Sequence, residues 1–374
     1  MTRLRHATAL VALTVLAAPL QAQADWRASY YPYLVSAPNE FPLLGARYEL
    51  RRDAEWDARW LSDGVLSVSA AAGFEGSRFA TVEFRAPGLQ DGWRLFARAG
   101  ASREARLGYY GLGNDSEVDE DLEESAGGYY RVKRYQNFGR IEVTRRLRGP
   151  LQLSWGGSVV KTKFADLPAP TLFGSTVGLE AEDTDVTGRI SLVYDTRDRE
   201  YNPGTGALLE IGALAGSGGD GYGRYYGEAR GFVTPRFGTV VAGRLAAVST
   251  VGSPALNAFY DLETWEGGRT GYGGRQTNRG LPDGRRIDAD QLYASLEVRQ
   301  TIVDVGDFGS VSLMLFGDAG RVFEEGAISL TTEDLAVGGG AGIILRALKA
   351  GILTFNFAGG PEGFQFTSTT GWSF

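Results

Sequence analysis

The sequence predicts an all-β membrane protein, a transmembrane antiparallel β-barrel of about 16 strands, on three observations. Apolar and polar residues alternate in many short runs, with 43% hydrophobic residues and 53 glycines in 374. After residue 24 no segment could cross a bilayer as a helix, which leaves a closed barrel as the spanning structure whose backbone groups are all paired. The chain also ends on alternating aromatics: Phe364, Phe366, Trp372 and Phe374 fall on one side, and Gln365, Thr367 and Thr369 on the other. A strand repeats every two residues, so this segment is expected to face lipid with its rings and the lumen with its polar groups.

Each element follows in order. Arg3 and Arg5 precede an apolar run over 7–20, and Ala22-Gln23-Ala24 follows. That pattern is a secretory signal peptide over 1–24, ahead of a barrel domain over 25–374. A membrane anchor needs about 20 apolar residues, and this run is shorter and interrupted by Pro19. The first eight strands are expected at 28–35, 45–60, 64–73, 78–86, 92–112, 129–147, 151–161 and 185–195. The other eight are expected at 206–216, 222–234, 237–250, 288–303, 308–318, 335–348, 350–358 and 362–374.

The faces are read from alternation. Ile190, Leu192 and Tyr194 oppose Arg189, Ser191 and Asp195; Leu296 and Val298 oppose Glu297 and Arg299. Leu313 and Leu315 oppose Ser312 and Asp318, and Val82 and Phe84 oppose Glu83 and Arg85. Charge recurs on one face and aliphatic carbon on the other, as a wet lumen and a lipid exterior require. Counted back from the C-terminus, tight and long connections alternate, so the tight ones belong mostly to the periplasmic end.

Composition excludes several functions. There is no cysteine, and the single histidine, His6, lies in the signal peptide. Without a histidine base, a Gly-x-Ser-x-Gly elbow or a phosphate loop, no enzyme is expected, and no metal or other cofactor. Lys and Arg number 38 against 45 Asp and Glu, so no nucleic-acid partner is expected. The outer-membrane lipids are the expected surroundings.

The most unusual connection runs from 251 to 287, long enough that a function is expected of it. Its centre reads Gly273-Gly274-Arg275-Gln276-Thr277-Asn278-Arg279-Gly280-Leu281. Earlier stands Tyr194-Asp195-Thr196-Arg197-Asp198, followed by Pro203 and Gly206; later stands Phe316-Gly317-Asp318-Ala319-Gly320-Arg321-Val322, and Phe374 closes the chain. With these four stretches in order, residues 105–374 resemble the Bam/Tam outer-membrane assembly-factor superfamily, the bacterial surface antigen family.

The resemblance implies location in the bacterial outer membrane and a sixth extracellular loop folded into the lumen. It makes Arg279-Gly280-Leu281 the loop signature, with Asp318 and Glu297 as carboxylates for Arg279. Asp195, Arg197, Asp198, Pro203 and Gly206 become a periplasmic turn motif. Trp372 and Phe374 become the C-terminal signal through which the host's barrel-assembly machinery inserts the protein. Leu281 replaces an aromatic, and Thr369 stands where the family favours glycine. The first strand is expected soon after the signal peptide, as in short members without N-terminal periplasmic repeat domains. The function so implied is insertion or translocation of client polypeptides at the outer membrane. The alternatives are a passive or gated pore and a surface docking protein without transport activity.

Overall fold

The computed structural model describes residues 26–374 apart from 117, 120, 124–126, 265, 266, 349 and 350. The expected signal peptide lies outside the described residues. The first strands are β1 (Trp26–Ala37), β2 (Glu40–Asp53), β3 (Ser62–Gly73), β4 (Arg78–Gln90), β5 (Trp93–Gly108) and β6 (Arg131–Arg148). They are followed by β7 (Leu151–Ala165), β8 (Glu180–Asp195), β9 (Gly206–Gly216), β10 (Gly221–Arg236) and β11 (Thr239–Ser253). The wall resumes with β14 (Asp290–Asp304), β15 (Gly309–Phe323), β16 (Ala336–Ala347), β17 (Gly351–Gly360) and β18 (Gly363–Thr370).

These sixteen strands form one antiparallel sheet in which each pairs with the next in sequence, β11 passing directly to β14. A hairpin of β12 (Asp261–Thr264) and β13 (Gly267–Thr270) makes a separate sheet within the long connection. The two ends of the large sheet, β1 and β18, come together without a backbone ladder between them among the described residues. The result is a nearly closed barrel with one seam.

Alternation sets the two faces. Ile190, Leu192, Tyr194, Leu296, Leu313 and Leu315 are exposed on the outside, while Arg189, Ser191, Asp195, Glu297 and Asp318 are buried inside. Several of the inner charges are arranged so that a residue and its countercharge stand two apart on one strand. Arg47–Glu49, Glu83–Arg85, Arg140–Glu142, Glu228–Arg230 and Glu297–Arg299 all form ion pairs of this kind. A spacing of two keeps both side chains on the same face, a few ångströms apart along the strand.

Three strand ends fall four or more residues short of the sequence reading, while other boundaries lie up to five residues beyond it, as at Glu40, Glu180 and Phe323. The second strand ends at Asp53 instead of 60, because 54–61 turns across the mouth of the barrel. Arg59 forms an ion pair with Asp195 at 2.9 Å there, and the Glu200 N–H donates to the Arg59 carbonyl at 2.8 Å. The fifth strand ends at Gly108, and Tyr109 and Tyr110 fold inward to burial. The last strand stops at Thr370, because Gly371 adopts a φ of 97°, which re-aims the chain.

Trp372 and Phe374 therefore do not face lipid, contrary to the alternation carried through from Phe364 and Phe366. Phe374 is buried against Phe232 and Ala242, and the Trp372 indole N–H donates to the Tyr201 carbonyl at 3.1 Å.

The two faces predict opposite tolerances. Leu315→Arg places a cation in lipid and is expected to cost about 2–4 kcal/mol near mid-bilayer. Ser312→Arg, on the lumenal face of the same strand, is expected to cost well under half as much. Urea titration of folding into phospholipid vesicles measures both.

Candidate functional site

The site is built where the long loop between β11 and β14 meets the inner wall. The loop contains a helical turn at Leu256–Tyr260, the β12–β13 hairpin and then a folded segment over 271–289. That segment turns tightly: Gly274 N–H donates to the Leu281 carbonyl at 2.9 Å, and Gly273 N–H to the Thr277 hydroxyl at 2.7 Å. These bonds present Arg279 at the loop tip toward β14 and β15.

Arg279 is almost wholly buried and bonds two carboxylates. Its Nε and Nη2 each donate to Asp318 at 2.8 Å, one to each carboxylate oxygen, and its backbone N–H adds a third bond at 3.0 Å. Its Nη1 donates to Glu297 at 2.5 Å. The guanidinium lies 3.7 Å from the centroid of the Phe316 ring, on the same strand as Asp318. A planar fork is suited to such a two-toothed carboxylate contact and to stacking on a ring. Burial by itself disfavours the charged guanidinium, but Asp318 and Glu297 more than offset it and raise the Arg279 pKa. A group whose folded pKa is raised contributes its stability below the unfolded value, so this contact does not fade with pH in the physiological range.

The neighbours of Arg279 seat the loop. Leu281 packs among Tyr272, Tyr293, Val322 and Ala336. Gly280 lies against Gly338 of β16 and Gly360 at the end of β17; a Cβ on Gly360 would stand 2.1 Å from the Gly280 oxygen. The glycines of these strands thus admit the loop backbone. Asn278 supplies three more bonds. Its amide nitrogen donates to the Tyr272 hydroxyl at 2.8 Å and the Ala336 carbonyl at 3.1 Å, and its oxygen accepts from Gly280 N–H at 3.0 Å.

A second layer ties this contact to the C-terminus. Arg299 holds the other oxygen of Glu297 at 2.6 Å and lies 3.9 Å from the Trp372 ring centroid. Arg279 Nη1 also donates to the Ser373 hydroxyl at 3.3 Å. Arg244 stacks on Phe374 at 4.8 Å. Asn278, Arg299, Ser373 and Gly360 were not singled out by sequence reasoning. Arg299 alone carried a usable signal, as the inward neighbour of Glu297 two residues on.

The turn motif forms a separate cluster, joined to this site by the Trp372–Tyr201 bond. Asp195 and Arg197 are buried, and Arg197 Nε and Nη2 donate to the two Asp195 carboxylate oxygens at 3.0 and 3.1 Å, with Arg59 as a third member. The Asp198 carboxylate caps the turn by accepting from the Gly204 and Thr205 N–H groups at 2.9 and 3.1 Å. Pro203 is buried and Gly206 opens β9. These residues form one cluster with the 54–61 turn and do not touch Arg279.

Loop and turns divide the lumen. A cavity of about 680 Å³ is lined by Arg47, Glu49, Arg94, Arg230 and Trp372. Another, of about 480 Å³, is lined by Arg98, Arg224, Asp261 and Arg275. Gln276 of the loop borders both.

Arg279→Ala would leave buried Asp318 without its cation and Glu297 with Arg299 alone, and a loss of about 3–5 kcal/mol is expected. Arg279→Lys keeps the charge but not the fork, and is expected to recover only part of it. Gly360→Val is expected to unseat the loop with every charge intact. Trypsin sensitivity of the loop in intact cells reports unseating, and urea unfolding reports the energy.

No curated protein matches this chain in sequence. Among solved structures it resembles BamA from Haemophilus ducreyi lacking POTRA domains 1–3, with 13% identity, TM-score 0.58, and coverage of 93% of this chain and 70% of that one. It resembles CdiB from Acinetobacter baumannii at 11% identity and TM-score 0.52, covering 92% of this chain and 65% of that one. For CdiB from Escherichia coli the values are 11%, 0.57, 92% and 61%. The chain thus spans less than two thirds of either CdiB chain, and at these identities the likeness is one of fold. The family profile described as the Omp85 superfamily domain matches residues 66–371. The chain belongs to the Omp85 superfamily and is an outer-membrane β-barrel.

Proposed function

We propose that this barrel assists insertion or translocation of polypeptides at the outer membrane, and that it works at the seam between β1 and β18. The observation that carries this reading is that both terminal strands reach the seam with no backbone ladder between them among the described residues. An unpaired strand edge is a template for an incoming strand. The Arg279 contact acts as the lock that holds the loop inside while the seam opens. Outer-membrane lipids and client strands are the partners in this reading. The host's barrel-assembly machinery inserts the protein itself, reading Trp372 and Phe374 before they fold inward.

The pore alternative has less support. Arg279, Leu281 and Gly280 keep the long loop against the wall, and its Gln276 stands between the two lumenal cavities. Small, unsteady currents are expected from the wild-type protein in planar bilayers. Large steady currents would favour the pore.

The chain has no cysteine, so a seam crosslink can be read without background. Single cysteines walked along 26–34 are paired with single cysteines along 364–370. Oxidised pairs are expected to lower the amounts of other outer-membrane proteins in quantitative proteomics, and reduction is expected to restore them. An unchanged proteome with the seam fully crosslinked would remove the seam mechanism.

A further inference from the structure

The outer wall is not uniformly studded with large side chains. On much of it bulky residues project into lipid, with Ile211, Leu245, Leu296 and Leu315 all more than half exposed. Across β2 to β5 one register row instead reads Ala46, Ala70, Ala80 and Ala101. The wall is recessed there, and the recess encloses about 740 Å³.

The row above it, toward the extracellular end, reads Leu44, Ala72, Arg78, Arg103, Tyr135 and Lys163. Arg78 and Arg103 therefore stand directly opposite each other on adjacent strands, both lining the recess. Like charges in that relation repel. Neither has a carboxylate partner among the described residues, and the Arg103 Nε is buried without an acceptor. Arg103 stacks only on Tyr135, at 5.6 Å. The nearby acids are already engaged: Glu75 with Arg106, Glu182 with Lys161, and Glu180 with Lys163.

Height in the membrane is given by β5 itself. Its outward residues run from Arg103 through Ala101, Ala99 and Ala97 to Trp93, where Arg145 stacks on the indole. That length of tilted strand covers about 25 Å, the thickness of the apolar band, so Arg103 lies at the headgroup level of the outer leaflet. A guanidinium pair there, above a recess of alanines, matches a phosphate joined to an acyl chain.

We infer that the outer face of β2–β5 binds one phosphorylated lipid, its phosphate between Arg78 and Arg103 and an acyl chain along Ala46, Ala70, Ala80 and Ala101. The site lies on the outward rows of β2–β5, its two arginines also bordering the 480 Å³ cavity, and it does not rest on what the seam or the lumen does with polypeptides. The bound phosphate removes the repulsion between the arginines, and the chain fills a recess that would otherwise be loosely covered.

The test uses the full folded chain in detergent, with native mass spectrometry reading retained lipid. The probes are dioleoyl phosphatidic acid, dioleoylglycerol and inorganic phosphate. Wild type is expected to retain one phosphatidic acid roughly tenfold more tightly than dioleoylglycerol, the worth of one charge-assisted contact. Arg78→Gln with Arg103→Gln is expected to remove that preference. Ala80→Leu with Ala101→Leu fills the recess with the charges kept, and is expected to weaken phosphatidic acid several-fold. Heat-modifiable migration on gels checks that each variant is folded. Undiminished binding by the double glutamine variant would overturn the inference. So would equal retention of dioleoylglycerol, which makes the recess a general acyl groove, or equal competition by inorganic phosphate, which makes it a free-anion site.

Discussion

One guanidinium organises the inside of this barrel. Arg279 is held by Asp318 of β15 and Glu297 of β14 and stacked on Phe316, so a loop that begins and ends at the extracellular rim is fastened deep in the lumen. Such a contact is costly to assemble, because three charges give up water to make it. It is tolerable here because both Asp318 oxygens and both Glu297 oxygens are bonded, and Arg299 completes the charge balance. Remove the cation and Asp318 is left buried without it; enlarge Gly360 and the loop backbone has no room to bring the arginine there.

The contact also links parts of the chain that are far apart. Glu297 passes from Arg279 to Arg299, Arg299 lies on Trp372, and Trp372 bonds the turn that contains Tyr201. The same turn is fastened to the first periplasmic turn through Asp195 and Arg59. Loop, last strand and periplasmic mouth thus share one chain of bonded groups. The last strand is thus in bonded contact with the loop, and paired variants measure the coupling between them.

Much of the wall was legible because a strand has a period of two and lipid accepts only one of its faces. Leu192 and Ser191 could be assigned to opposite sides without any structure, and Asp318 and Glu297 could be placed inside as partners for Arg279. Position along a strand was legible; contact across the lumen was not. Asn278, Gly360 and Ser373 matter through neighbours distant in sequence, and no local pattern marks such meetings. The inward turn of Trp372 and Phe374 was missed for a different reason. The alternation continues unbroken through Gly371 on paper, and only its left-handed backbone ends the strand. The turn over 54–61 was likewise hidden, since its role depends on Asp195 from another hairpin.

The inner charges have a consequence for how the chain enters a membrane. Because Arg47, Arg140, Arg230 and Arg299 each have a countercharge two residues away on the same strand, compensation travels with the strand and does not wait for a neighbour. On those strands the wet side carries its own compensation as it is laid down, while Arg94, Arg134 and Arg189 take their carboxylates from other strands, turns or the long loop. The electrostatic cost of the barrel is therefore divided between pairs made within a strand and pairs made only when distant segments meet.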